Sequence, residues 1–120
     1  MSLRLIVTEK NKNPLFENTI KIVLAIPKGK VTTYGSVARL ANSIGSARYV
    51  SYILTSSSKK YKLPWHRVIS ASGKIANHKK TDTQYQLLKK EGIEVIRGKI
   101  DLDFYEWKPN KTKIKAILKS

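Results

Sequence analysis

Three short segments of the chain, at residues 30–35, 46–50 and 64–69, carry the side chains best suited to chemistry. The phenol of Tyr34 in the first segment can hydrogen-bond a phosphate, and the guanidinium of Arg48 in the second can stack on a base and hydrogen-bond it. The third segment reads Pro-Trp-His-Arg-Val-Ile, and the indole of its Trp65 donates a hydrogen bond but is not a nucleophile. These residue types favour recognition of a ligand over covalent attack on one.

Several kinds of site are excluded by what the 120 residues lack. The chain contains no cysteine, which excludes a disulfide scaffold, a thiolate metal site and a cysteine nucleophile. Its two histidines do not have metal-ligand spacing, and no glycine-rich loop that would cradle a phosphate precedes a helix. We therefore expect neither a metal nor a cofactor.

The charge of the chain points to a polyanionic partner. Twenty-four Lys and Arg face eight Asp and Glu, which gives a formal net charge of +16, and the two halves of the chain contribute equally to it. Such an excess repels itself and is stabilised beside a polyanion, so nucleic acid is the first candidate and an anionic membrane surface the second. A lysine-rich proteome or high internal salt would produce the same composition without either partner.

Neither a membrane span nor an export signal is visible in the sequence. Mean hydropathy is -0.35, and no apolar run approaches the roughly 18–20 residues that a bilayer requires. Residues 1–10 lack the long apolar stretch and the cleavage site of a signal peptide. We expect a monomer with an intracellular, cytoplasmic or nucleoid-associated location and no membrane partner.

Apolar residues that recur at helical spacing predict four helices. The first, residues 14–26, follows an Asn-Pro start signal and has an apolar stripe that ends at Leu24. The fourth begins at a Thr-Asp cap at residues 81–82 and ends at Gly92.

The second and third helices, residues 33–41 and 47–54, are joined by a tight turn. Two short helices in this arrangement predict a helix-turn-helix, and Arg48 and Tyr52 lie on the outer face of its second helix. Residues 56–60 are predicted to be a polar loop.

A strand at Val68–Ile69 is expected to turn through a glycine and return at residues 74–75 as a β-hairpin. Residues 93–96 are expected to form a further strand. The predicted fold class is therefore α/β and mostly helical, a winged helix-turn-helix-like DNA-binding domain with a small β-hairpin wing. The predicted divisions are an N-terminal arm or short strand at residues 1–12, the DNA-binding domain at residues 13–109 and a Lys-rich C-terminal tail at residues 110–120.

The three segments, in this order and at this spacing, resemble the DNA-binding domain of the O6-alkylguanine-DNA alkyltransferase family. In that family the third segment reads Pro-Cys-His-Arg-Val, and its cysteine takes the alkyl group from the base. Trp65 stands at that place here, so the chain resembles the alkyltransferase-like branch. Similarity runs over residues 14–109 and includes Lys-Lys-Glu-Gly at residues 89–92 and Tyr-Glu-Trp-Lys-Pro at residues 105–109. The resemblance implies a protein that recognises an alkylated base and has no alkyltransferase activity.

The resemblance also implies roles for particular residues. Tyr34 would act at the phosphate beside the target nucleotide and help to rotate it out of the duplex, and Arg48 would fill the vacated stack. His66 and Glu91 match a proton relay that here has no thiol to activate, so with Arg67 they would support the pocket wall. The lesion pocket is assigned to Trp65, Tyr34, Val68, Ile69, Ser70 and His78, and the minor-groove surface to Thr33, Tyr34, Ser46, Ala47, Arg48, Tyr49, Ser51 and Tyr52.

Three functions follow from these observations. The first is a non-enzymatic sensor that binds duplex DNA through the minor groove, flips O6-alkylguanine into the Trp65 pocket and flags it for nucleotide excision repair proteins. The alternative is a winged-helix DNA-binding regulator without lesion specificity, which uses Arg48 and Tyr34 but needs no pocket. The third is a hydrolase that activates water with His66 and Glu91. Equal affinity for O6-methylguanine and guanine duplexes would favour the regulator.

Overall fold

The computed structural model describes residues 14–42, 46–75 and 83–120. Its first helix buries one apolar face. Helix α1 (Pro14–Ala25) begins at a proline, whose fixed φ suits a first helical turn. Its buried face includes Phe16 and Ile20. Leu24, which the spacing placed on the same stripe, is 39% exposed and lines a groove beside the C-terminal helix.

The predicted helix-turn-helix pair is confirmed as α2 (Tyr34–Leu40) and α3 (Ala47–Tyr61). Helix α3 runs well beyond the predicted end at residue 54, so the prediction of a polar loop at residues 56–60 was wrong. Ser57 is buried one turn after Ile53, and this packing outweighs the weak helix propensity of the serine run. The helix ends at Lys62, which adopts a left-handed conformation.

A two-stranded parallel sheet joins two distant parts of the chain. Strand β1 (Thr32–Thr33) pairs with β2 (Val68–Ile69), with Thr32 opposite Val68. The strand at Val68–Ile69 is as predicted, but the prediction that residues 74–75 pair with it in a hairpin was wrong. Strand β2 pairs with β1, and the chain continues to an antiparallel bridge between Lys74 and Lys99 instead of folding back on β2.

The predicted fourth helix is α4 (Thr83–Lys90), and its predicted cap at residues 81–82 lies outside the described residues. The chain leaves the helix at Gly92, which has a φ of 84° as a left-handed helix end requires. The strand predicted at residues 93–96 was wrong. Only Ile96 is paired there, in a tight turn whose two central residues, Arg97 and Gly98, both have positive φ.

The lysine-rich end of the chain forms a helix, α6 (Lys111–Lys119), after the four-residue helix α5 (Leu102–Tyr105). Between them Trp107 is buried, and its amide donates to the carbonyl of Val31 at 2.7 Å. Helix α6 packs against α1, where the ammonium of Lys21 donates to the carbonyl of Leu118 at 3.0 Å. Alternation of lysine with apolar residues in this segment is therefore the pattern of an amphipathic helix.

Two apolar clusters hold these elements in place. The larger one fills the space between α1, α2 and α3 and includes Trp107. The smaller one includes Val31, Ile69 of β2 and Leu88 of α4, so it joins the parallel sheet to that helix. No helix within the described ranges is both long and apolar enough to span a membrane.

Candidate nucleic-acid interface

The junction between β1 and α2 positions Tyr34. Thr33 is the N-cap of α2, and its hydroxyl accepts from the amide of Ser36 at 3.1 Å. The same hydroxyl lies 3.0 Å from the hydroxyl of Ser36, so Thr33, a residue assigned to the DNA surface, also caps the helix. Tyr34 follows as a half-buried residue, and burial raises the pKa of its phenol. The phenol therefore stays protonated at neutral pH and available as a hydrogen-bond donor.

A short 3₁₀ turn, Trp65–Arg67, presents the indole of Trp65. The turn closes where the amide of Arg67 donates to the carbonyl of Pro64 at 3.0 Å. Trp65 is 36% exposed, and with Tyr34 it lines a cavity of about 550 Å³. This volume lies in the range of pockets that hold small molecules. The remaining residues that line the cavity come from α3 and the segment after it: Ser51, Leu54, Thr55, Ser58, Lys59, Lys62 and Leu63.

The residues assigned to the lesion pocket do not share one cavity. Val68, Ile69 and Ser70 line a second cavity of about 320 Å³, which also touches Tyr34 but not Trp65. Tyr34 therefore lies between two adjoining spaces, one against the indole and one against β2. His78, also assigned to the pocket, lies outside the described residues.

Helix α3 presents an exposed stripe that leads toward the Trp65 cavity. Arg48, Ser51 and Thr55 are exposed and recur at three- and four-residue spacing, which places them on one side of the helix. Ser51 and Thr55 line the cavity, and Arg48 lies one helical turn before Ser51. Ser46 and Ala47, at the start of the helix, are half-buried.

A pair of tyrosines flanks this stripe. Tyr52 is 65% exposed. Its ring stacks on that of Tyr49 with 6.2 Å between centroids and 15° between planes. The Tyr49 ring in turn packs against the larger core cluster, so Tyr52 is held along the helix surface.

One carboxylate connects three segments behind the cavity. Glu91, just past α4, accepts from the guanidinium of Arg67 at 2.7 and 3.0 Å and from the amide of Gly29 at 2.9 Å. His66 Nε2 lies 2.6 Å from Glu91 Oε2. Arg67 also donates to the carbonyl of Ile26 at 2.8 Å, which ties the Trp65 turn to the end of α1.

The electrostatics of Glu91 keep it ionised. Burial raises the pKa of its carboxyl, but hydrogen bonds from Arg67, Gly29 and His66, together with the charge of Arg67, outweigh burial and lower the pKa to about 2. An ionised carboxylate only accepts hydrogen bonds, so His66 Nε2 carries the proton that lies between them. The structure thus brings together the three residues that were assigned to support the pocket.

Two sets of residues at the site were missed from the sequence. Gln84 is buried, and its amide donates to the carbonyls of His66 at 3.3 Å and Val68 at 3.5 Å, so it holds the Trp65 turn from α4. Its polar side chain on the buried side of a predicted helix was the available signal. The cavity residues beyond Leu54, with the cations Lys59 and Lys62, were missed because α3 was predicted to end too early.

Comparison with known proteins identifies the family of this chain. The family described as "6-O-methylguanine DNA methyltransferase, DNA binding domain" matches residues 14–93, and the chain belongs to this family. A "DNA base-flipping protein" of Vibrio parahaemolyticus is 47% identical over 90 residues, which cover 73% of this chain and 90% of that protein. "Alkyltransferase-like protein 1" of Schizosaccharomyces pombe is 35% identical over 95 residues, which cover 72% of this chain and 88% of that protein.

A solved structure shares the fold. The crystal structure of S. pombe Atl1 in complex with damaged DNA containing O6-carboxymethylguanine has a TM-score of 0.68 and 33% identity to this chain. The match covers 79% of this chain and 95% of the Atl1 chain. The resemblance to the alkyltransferase-like branch and the mostly helical, helix-turn-helix fold class are therefore confirmed.

Proposed function

We propose that this protein binds duplex DNA through the minor groove, everts an O6-alkylated guanine into the cavity beside Trp65 and leaves the alkyl group in place. The observation that carries the proposal is the indole that lines the cavity at the position where the family has its acceptor cysteine, in a chain without any cysteine. An indole cannot displace guanine from an alkyl carbon, whereas its flat ring can stack on a base or contact the adduct. The named relatives, a base-flipping protein and an alkyltransferase-like protein, support the same function.

Arg48 is proposed to occupy the space that the everted base leaves. Arg48 is exposed on α3, one helical turn before Ser51, which lines the cavity, so its side chain starts from the same side of the helix as the cavity. A planar cation can stack between bases and hydrogen-bond the orphaned pyrimidine. The phenol of Tyr34, at the cavity, is proposed to donate to the phosphate that rotates with the base.

Glu91 and His66 are proposed to position the Trp65 turn rather than to activate water. Both oxygens of Glu91 already accept bonds from Arg67, Gly29 and His66. Neither Glu91 nor His66 lines the Trp65 cavity, so neither is placed to activate water there. We therefore propose that the lesion is removed by others, and that the bound protein flags it for nucleotide excision repair proteins.

A titration with two matched duplexes tests the central claim. One duplex contains a single O6-methylguanine and the other guanine at the same place, and wild type is expected to bind the first more tightly. Trp65→Ala should weaken binding to the lesion duplex roughly 5- to 140-fold, the range of one lost base–aromatic stack. Binding to the guanine duplex should change little. Equal wild-type affinity for the two duplexes would instead support a regulator without lesion specificity.

The role of Arg48 is tested in the same assay. Arg48→Ala should weaken lesion binding by about tenfold or more, because the cost of unstacking is then uncompensated. Lys115→Ala, which removes an exposed cation from α6, is the matched control and should have a small, equal effect on both duplexes. Unchanged lesion affinity in Arg48→Ala would contradict the proposed role.

Single-turnover incubation of wild type with the lesion duplex should leave the O6-methyl group on the base, and its loss would contradict a non-enzymatic sensor.

A further inference from the structure

A second surface of the molecule is a groove of about 480 Å³ between the turn at Arg97–Gly98 and α5. Two of its lining side chains are apolar and unusually exposed, Phe104 at 69% and Ile96 at 59%. Large apolar side chains that share one groove on a surface indicate an interaction site more often than scattered ones do. Of the described residues, none of those assigned to the nucleic-acid interface lines this groove.

The groove is held in shape before anything binds to it. The ring of Phe104 packs edge-on against that of Tyr105, with 4.7 Å between centroids. The hydroxyl of Tyr105 accepts from the amide of Glu94 at 3.1 Å, and Ile96 and Lys99 exchange two backbone hydrogen bonds of 2.9 Å. A preformed groove loses little conformational entropy on binding.

The charge around the groove is opposite to that of the molecule. Glu94 and Asp101 line it together with one cation, Lys99. Residues 94–106 contain four of the eight acidic residues of the chain and two cations, Arg97 and Lys99, so this segment is net negative in a strongly positive chain. Among the described residues, neither Glu94 nor Asp103 has a cation within ion-pair distance. Carboxylates repel DNA phosphates and anionic lipids, and they attract a basic protein segment.

We propose that this groove binds a segment of a second protein in which apolar anchors are flanked by lysine or arginine. The anchors would lie against Phe104 and Ile96, and the cations would face Glu94 and Asp101. The groove shares no lining residue with the Trp65 cavity, so the partner would not occupy the site proposed for the base. This inference is independent of lesion recognition, because the groove would serve a DNA-binding regulator equally well.

The test uses three fluorescein-labelled synthetic peptides and fluorescence anisotropy at physiological salt, without DNA. In the first peptide Leu and Phe alternate with Lys, in the second Ser replaces Leu and Phe, and in the third Glu replaces Lys. The first should bind wild type at least tenfold more tightly than the second. Phe104→Ser and Glu94→Lys should each weaken it at least fivefold, whereas Leu24→Ser, which removes an exposed apolar residue elsewhere, should not.

Other outcomes would overturn the proposal. Binding of the first peptide that is indifferent to Phe104→Ser would exclude the groove, and tighter Phe104-dependent binding of the Glu peptide would exclude a basic partner. A dimer in sedimentation that Phe104→Ser dissociates would assign the groove to a second copy of the chain. Phe104→Ser should leave the affinity for both duplexes unchanged, so failure here and failure of lesion recognition are measured separately.

Discussion

At the scale of single residues, Glu91 contributes most to the shape of the site. Its carboxylate accepts hydrogen bonds from the loop after α1 and from both polar residues of the Trp65 turn. Removing one member of a buried ion pair leaves the other charge uncompensated, which costs far more than the loss of an exposed pair. Glu91 therefore matters for stability in a way that the exposed Glu94 does not.

Glu91→Gln should lower the free energy of unfolding by about 3 kcal/mol at pH 7, because Arg67 is then left buried without a counter-charge. Urea unfolding followed by tryptophan fluorescence measures the change. Glu94→Gln is the matched control on an exposed side chain and should shift the free energy of unfolding by less than about 0.5 kcal/mol. Equal effects of the two substitutions would contradict the structural role of Glu91.

The pH dependence of stability follows from the same carboxyl. Its pKa is about 2 in the folded protein and near 4.5 when unperturbed, so the stabilisation is complete above pH 4.5. It is lost as the pH falls from 4.5 toward 2, because the unfolded chain takes up the proton first. Unfolding curves of wild type should show this loss, and those of Glu91→Gln should be flatter in the same window. Parallel curves would show that Glu91 is not the group responsible.

Gly73 offers a second residue-scale prediction. It has a φ of 83°, and a Cβ there would lie 2.6 Å from the carbonyl oxygen of Ile100. Gly73→Ala should therefore lower the free energy of unfolding by about 2 kcal/mol or more. Gly35→Ala, in α2 where a Cβ meets nothing within 4 Å, is the matched control and should leave stability unchanged or raise it by up to about 1 kcal/mol. Thermal unfolding of the two variants separates these effects.

At the scale of elements, α6 is part of the folded domain rather than an appendage to it. Its side chains Ile114, Ile117 and Leu118 pack against the larger core cluster. Ile117→Asp should lower the free energy of unfolding by about 2 kcal/mol, the value of one apolar contact of this size. Lys115→Asp, on the exposed side of the same helix, should change it by less than about 0.5 kcal/mol. Equal urea midpoints for the two variants would mean that α6 does not support the core.

The helices were more predictable than the sheet because their signals are local. The start of α1 and the end of α4 depend on proline and glycine within a few residues, and both were predicted correctly. Pairing of β1 with β2 depends on residues more than thirty positions apart, and a two-residue strand has no periodicity that identifies its partner. The turn signal at Gly73 therefore favoured a nearby hairpin that does not form.

The site was predictable as a set of residues but not as a shape. Trp65, Tyr34 and the His66–Arg67–Glu91 cluster were identified through motifs, and the structure brings them together. The division of the pocket into two cavities depends on the length of α3 and on how Tyr34 leaves β1. Helix α3 continues past residue 54 where Ser57 is buried against the rest of the fold, and helix propensity alone does not predict that burial.

At the scale of the whole molecule, a net charge of +16 makes ionic strength the main control of affinity. The logarithm of the affinity for either duplex should fall linearly with the logarithm of salt concentration, with a slope near -0.9 for each phosphate neutralised. The ratio of lesion to guanine affinity should change far less, because contacts inside the Trp65 cavity release few ions. A ratio that collapses as salt rises would contradict recognition in a cavity.

The hydrogen bond from the amide of Gly29 to Glu91 allows the site to be monitored without any DNA. Its proton is protected from exchange with deuterium only while the loop after α1 and the residue after α4 remain joined. An exchange rate equal to that of global unfolding would mean that the support behind Trp65 opens only when the entire domain does. Faster exchange would mean that the hydrogen bonds behind Trp65 open locally while the rest of the domain stays folded. The exchange rate of the Gly29 amide would then report that local opening.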